Sequence, residues 1–191
     1  MSWSSRTGGL AGLFAAGLIA LSTLLDATAP SGAYRAVVLV AFLAVIGAVA
    51  GIHAAHRGRP RYGWVGAVAA AVTSAGYAIV AAVTVIGIFR DAGSLVGVRT
   101  AGAILVLAGS AVLGVVVMVT RLLPWWCGVL LVVAFPLGDL ANDVFPTAEN
   151  LLLALLWGSV GLALLSVVPR SARMQAPGSG GVVTQPSTTT G

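Results

Sequence analysis

The chain is short of charge and has no lysine: only 8% of its 191 residues are Asp, Glu, Lys or Arg, and all ten of the Lys-plus-Arg positions are arginine. Soluble domains carry about a quarter charged residues, so a chain with 59% hydrophobic residues and a mean hydropathy of +1.04 is excluded from that class. Its solvent is lipid. Cys127 is the single cysteine, which excludes an intramolecular disulfide and leaves a small packing residue. There is no phosphate-binding glycine loop with its lysine, no HExxH pair, no nucleophile elbow and no pair of inward carboxylates in the apolar runs. The sequence therefore gives enzyme activity no positive support and calls for no cofactor. The formal net charge of +5 follows from topology and anionic headgroups, and no nucleic-acid partner is expected. An arginine-only, Ala-, Gly- and Val-rich composition points to a GC-rich bacterial genome, hence to a bacterial inner membrane.

What is present is a series of apolar runs set apart by short polar breaks. Runs over 8–25, 34–55, 63–89, 100–120, 123–140 and 148–168 approach or exceed the ~20 residues needed to cross a ~30 Å hydrocarbon core. The first is expected to stay uncleaved, because it is longer than a signal-peptide core and Pro30 follows the small residues Ala27, Thr28 and Ala29. The stretch 56–64, HRGRPRYGW, sets Arg57, Arg59 and Arg61 between two runs, which marks a cytoplasmic turn. Pro60 and Gly58 break the helix there, and Tyr62 and Trp64 are read as interfacial aromatics. Arg121 to Pro124 leaves so short a turn that the fourth and fifth helices must form a tight antiparallel hairpin.

These elements predict an all-α, six-helix transmembrane bundle with N and C termini cytoplasmic: residues 1–7 a cytoplasmic N-terminus, 8–168 the six-span domain and 169–191 a disordered tail of Gly, Ser, Thr, Gln and Pro. Seven arginines (6, 57, 59, 61, 121, 170, 173) then face the cytoplasm and three (35, 90, 99) face outward, as the positive-inside rule requires. All five acids, Asp26, Asp91, Asp139, Asp143 and Glu149, fall at the outer side. A weak likeness between Pro60-Arg61-Tyr62-Gly63-Trp64 and Pro124-Trp125-Trp126-Cys127-Gly128 raises the alternative of a duplicated helix pair.

The segments GIHAAHRGRPRYGWVGAVAAAV and TRLLPWWCGVLLVVA carry a resemblance: over most of residues 8–168 the chain resembles uncharacterised six-span integral membrane proteins of actinobacteria. The resemblance implies a fold and a topology; no activity, substrate or site comes with it.

Small residues let helices approach in lipid. Gly66, Ala70, Ser74, Ala78 and Ala82 recur at intervals of four in the third run, and Gly8 with Gly12 and Gly47 with Gly51 repeat the spacing. They predict intramolecular packing, with a homo-oligomer or membrane partner through the small-residue faces as the sharper alternative. Thr73, Tyr77 and Thr84 form a polar stripe near mid-membrane, with Ser110 as a partner for the Tyr77 hydroxyl and Trp157 at the same depth. The stripe is either a set of ordinary buried polar groups or the lining of a ligand pocket. His53, His56 and Cys127 share a level, but two histidines on one helical turn do not close a metal site, and no metal is expected.

Asp139 is the most deeply placed charge. At ~1.5 Å per residue from Pro124 it lies roughly 22 Å from the inner boundary, inside the hydrocarbon core. A lone carboxylate there is expensive, so Arg99 is expected to pair with Asp139 or, failing that, with Asp143 at the outer rim. The function expected is a noncatalytic integral membrane protein with a packing, scaffold or partner-binding role, in contact with the lipid bilayer. A small transporter or permease component using the polar stripe is the alternative, and a membrane enzyme with an outer acidic site is third. A water-reachable cavity meeting Tyr77 favours transport; a dry closed bundle favours the scaffold.

Overall fold

The computed structural model describes residues 3–28, 31–89, 93–142, 145 and 147–174. They form six helices and no strand: α1 (Trp3–Thr28), α2 (Ser31–His56), α3 (Gly63–Phe89), α4 (Val96–Thr120), α5 (Trp125–Asn142) and α6 (Ala148–Met174), with a short 3-10 turn at Gly93–Leu95 leading into α4. Five of them are long and apolar enough to cross a membrane; α5 carries a shorter apolar stretch, Trp125–Ala141. Its 18 residues reach about 27 Å at ~1.5 Å each. The helix α6 runs on to Met174, so residues 169–174 of the disordered tail expected over 169–191 are helical, and 175–191 lie outside the described residues.

Each helix packs antiparallel on its neighbour in sequence, and α6 returns to pack on α1, so the six close into a ring. Glycines set the closest approaches. A Cβ on Gly8 of α1 would run into the Gly51 backbone of α2, one on Gly12 would lie 3.1 Å from Gly161 Cα of α6, and one on Gly114 of α4 would lie 2.5 Å from Gly128 O of α5. Lipid supplies no hydrophobic drive between helices, so close backbone approach provides the dispersion contacts that hold them. The α4–α5 hairpin is as tight as the short linker requires. Arg121 adopts the left-handed conformation (φ 50°) and its N–H donates to Val117 O, which caps α4 before Pro124 opens α5.

The regular four-residue groove read on α3 does not survive as one face. Gly66 and Ala70 are buried, Ser74 is half-buried, and Ala78 and Ala82 are exposed. Each step of four overshoots a 3.6-residue turn by about 40°, so five such positions fan around the helix. The buried face follows the 3.6 period instead, through Gly66, Ala69, Ala70, Thr73, Gly76 and Tyr77.

The bundle has two unlike ends. At one, the turns 57–62 and 121–124 gather Arg57, Arg59, Arg61 and Arg121, all but the last on one loop; at the other lie Arg35, Arg99, Asp139 and Glu149. We call these the basic and the acidic end. Large apolar side chains face outward along the helices, among them Leu10, Leu43, Ile104 and Leu155, each more than half exposed, as a lipid-facing surface demands. Trp64 and Trp125 are exposed where α3 and α5 begin, the position that amphipathic aromatics favour. Tyr62 departs from the interfacial reading: it is buried. Its ring fills the space left by Gly66, its O–H donates to Gly66 O at 2.9 Å, and His53 Nδ1 lies 3.1 Å from the same oxygen. Since one hydroxyl donates once, His53 Nδ1–H is the donor to Tyr62.

Candidate functional site

The basic half of the ring is packed solid, with Ile52, Leu113, Leu131, Leu164 and Val117 fully buried. The acidic half encloses a cavity of about 930 Å³ to which all six helices contribute. Pockets of roughly 300–1,000 Å³ are the size that holds small molecules.

Its floor is aromatic. Tyr77 of α3 is buried with Phe42 of α2 at 5.7 Å, Phe135 of α5 at 6.3 Å and Trp157 of α6 at 6.2 Å between ring centroids. Trp157 stands edge-on to Tyr77 at 72°, the arrangement that the ring quadrupoles favour. The Tyr77 hydroxyl and the Trp157 indole nitrogen are both sealed from the cavity and neighbour each other, with no further hydrogen-bond partner among the described residues. Even with the indole N–H turned toward the phenolic oxygen, the phenolic O–H remains an unused donor. An unsatisfied buried hydroxyl costs about 1–3 kcal/mol.

The walls above it are apolar, formed by Val38, Val80, Val83, Ala103, Val106 and Leu153 among others, and the polar groups cluster at the mouth. There Arg35 of α2 donates to Gly87 O of α3, tying the two helices together. Arg99 of α4, Glu149 and Asn150 of α6 also line the mouth. Glu149 feels the attraction of Arg99 and the repulsion of Asp139. Gly138 of α5 makes this approach possible, since a Cβ there would lie 3.0 Å from Glu149 Cα.

The polar stripe read from the sequence divides. Tyr77 and Thr84 line the cavity; the Thr84 hydroxyl is spent on Val80 O at 2.9 Å. Thr73 donates to Ala69 O at 2.8 Å and sits under Gly109 of α4, whose Cβ would lie 2.5 Å from its Oγ1. It is a helix-packing residue. Ser110 is buried and turns back on Leu107 O at 3.1 Å instead of reaching Tyr77; a hydroxyl finds its own helix's i−3 carbonyl without crossing to a neighbour. Trp157 supports the floor from behind. Of the rim residues, Arg99 and Asp139 are both exposed and each acts electrostatically on Glu149, while Asp143 lies outside the described residues. Only Glu149 of the described acids lines the cavity.

Arg35, Phe42, Phe135 and Glu149 belong to the site and were not anticipated. A signal existed for two of them: Arg35, Val38 and Phe42 stand at i, i+3 and i+7, one helical face, and Tyr77, Val80, Thr84 and Gly87 continue the stripe on α3. Nothing in the sequence alone says that these two faces meet.

At the basic end, His56 is buried, its Nδ1–H donates to Ile52 O at 2.8 Å, and its ring stacks on Tyr62 at 5.5 Å. With His53 on the Tyr62 hydroxyl, both histidines act as struts for the turn. Burial pushes the Tyr62 phenol up to about 12. Cys127 is buried as well.

Comparison with protein families, with curated proteins and with solved structures gave no match.

Proposed function

We propose that the chain is a six-span protein of a bacterial inner membrane, with the basic end and both termini in the cytoplasm, that binds a small amphipathic molecule from the outer side as a receptor or transport component. The resemblance to actinobacterial six-span proteins is part of the same proposal. One observation carries the ligand reading above the scaffold reading: a cavity of about 930 Å³ opens between the six helices and reaches down to the Tyr77 ring. A bundle built only for packing gains nothing from an open interior, since unfilled space forfeits dispersion contacts. Seven of the ten arginines, at the basic end and in the two terminal segments, support the orientation. Counting α5 as a span rests on its place in the ring, antiparallel between α4 and α6.

The test uses single-cysteine proteins in a Cys127→Ala background, expressed in intact cells and exposed to a charged, membrane-impermeant thiol reagent from outside. Thr84→Cys should be modified, and Leu113→Cys, in the packed basic half, should be protected. Protection of Thr84→Cys would return the molecule to a closed scaffold.

A further inference from the structure

We infer that the cavity takes a hydrocarbon chain of medium length beneath a head group without net charge. The inference rests on the ligand-binding reading above and adds the chemical class.

The walls and floor offer a ligand nothing to bond. Of the described hydroxyls that line them, Ser22 donates to Ile19 O at 2.7 Å and Thr84 to Val80 O at 2.9 Å. The Tyr77 hydroxyl is sealed against the Trp157 indole, so that residue shows the cavity its ring. The rest of the surface below the mouth is aliphatic or aromatic, with Val38, Phe42, Val80, Val106, Phe135 and Leu153 among its lining residues. A polar group brought down here would give up its water and find no replacement. A hydrocarbon gives up only unfavourable contact with water.

The mouth sets the head. Among the described residues at this rim, the guanidiniums of Arg35 and Arg99 stand with the carboxylates of Glu149 and Asp139, and the charges cancel. Arg99 attracts the Glu149 charge and Asp139 repels it, while Arg35 is engaged on Gly87 O. No excess of either sign favours an anion or a cation. A polar, neutral head fits such a rim, because it can hydrogen-bond there without adding a charge that has no partner.

The depth sets the length. Gly76, next to Tyr77, packs on the backbone of Val106, which puts Tyr77 and Val106 at one level. Arg99 lies seven residues nearer the mouth on the same helix, about 10 Å at ~1.5 Å per residue. An extended hydrocarbon covers that depth in about eight bonds, at the ~1.2 Å per single bond of an extended chain. Thr84 is as far from Tyr77 along α3, so a cysteine there stands beside the head end of the chain and reports its arrival.

The test titrates 1-monoacylglycerols with butanoyl, hexanoyl, octanoyl, decanoyl and dodecanoyl chains as protectants of the full-length Thr84→Cys, Cys127→Ala protein in phosphatidylcholine nanodiscs. Iodoacetamide, which is uncharged, is the labelling reagent, and free aqueous monoacylglycerol is measured. The concentration for half-protection should fall about fourfold per added methylene as far as octanoyl, as burial of hydrocarbon implies, and then level off. Ala103 lines the cavity and is itself exposed, one turn below Arg99, so a larger side chain has room there. Adding Ala103→Phe should weaken octanoyl protection by about tenfold or more, the loss of roughly two methylenes of burial, and butanoyl protection by less. Octanoate and octylammonium should protect equally, and neither better than octanoylglycerol. Unaltered labelling without probe shows that the variant is folded.

A fall that continues to dodecanoyl would place the chains in the bilayer and overturn the fit, and a preference of about tenfold for one charged head, the size of a charge-assisted bond, would overturn the neutral head. Octanoyl protection unchanged by a folded Ala103→Phe would overturn the location. No protection by any chain, with labelling intact, would overturn the ligand class and leave the cavity reading standing. Failure of Thr84→Cys to label at all would overturn both.

Discussion

Tyr77 and Trp157 meet edge to face, ring centroids 6.2 Å apart, with the phenolic O–H left without an acceptor. Ring packing holds the two side chains together whether or not the phenolic O–H is bonded, and stability and polarity are separable at this position.

Tyr77→Phe removes a hydroxyl whose O–H has no acceptor among the described residues. Thermal unfolding in detergent should show stability unchanged or raised by up to about 1 kcal/mol, because a desolvation penalty disappears. Tyr77→Ala should lose about 3–5 kcal/mol, the range for truncating a large core aromatic. Equal losses in the two variants would mean that the hydroxyl is partnered.

The seam between α1 and α2 has no room for a methyl group. A Cβ at Gly8 meets the Gly51 backbone, which cannot swing away as a side chain can. Gly8→Ala should therefore destabilise by about 1–3 kcal/mol, whereas Gly17→Ala, with nothing within 4 Å of its Cβ, should gain up to about 1 kcal/mol from helix propensity. The same melting assay compares them, and equal effects would refute the seam.

At the rim, Arg99 offsets the repulsion between Glu149 and Asp139. Arg99→Gln should cost about 0.5–1 kcal/mol, modest because Arg99 is exposed. Adding Asp139→Asn should recover part of it. A double-mutant cycle measures the coupling, and strictly additive losses would show that the charges act independently.

Tyr62 makes the basic turn sensitive to alkali. Its phenol is raised by burial from about 10 to about 12, so the folded state holds the proton more tightly than the unfolded one. The sign follows: this contribution is complete below pH 10 and is lost as pH rises through 12. Unfolding followed between pH 9 and 12 should show stability falling over that window, and less steeply in Tyr62→Phe. A Tyr62→Phe profile parallel to the parent would assign the alkaline loss to other groups.

Reporter fusions at Met1 and after Gly191 should both report cytoplasm, and a tag placed between 142 and 147 should be reached from outside. A C-terminal reporter on the opposite side would remove α5 from the set of spans.

Helix number and placement were legible because lipid imposes long apolar runs, and charge marks their ends; the breaks at Gly58-Arg59-Pro60 and Arg121 to Pro124 needed no tertiary information. The site was less so. Tyr77 stood out as a hydroxyl at mid-membrane, and Trp157 as an indole away from the interface. Their partners did not, because Ser110 could bond either way from sequence and chose its own helix. Tyr62 was misplaced for a related reason: a tyrosine beside an arginine turn suits the interface, and only the gap over Gly66, four residues on, shows where its ring goes. Glu149 read only as one of five outer-side acids and is also a cavity residue, since the ring brings the start of α6 near Arg99.

Closure of the ring by α1 and α6 has a consequence for biogenesis. Gly9 and Gly12 of α1 have their partners on α6, at Gly161, Leu165 and Trp157, so during synthesis the first helix waits with a glycine face open to lipid until all the others have been inserted. The floor of the cavity waits with it, because Trp157 arrives on the same closing helix. A ribosome stalled before α6 leaves a five-helix sheet of antiparallel neighbours with two mismatched edges, and a quality-control protease that reads unpaired small-residue faces in the membrane would recognise it by the α1 edge.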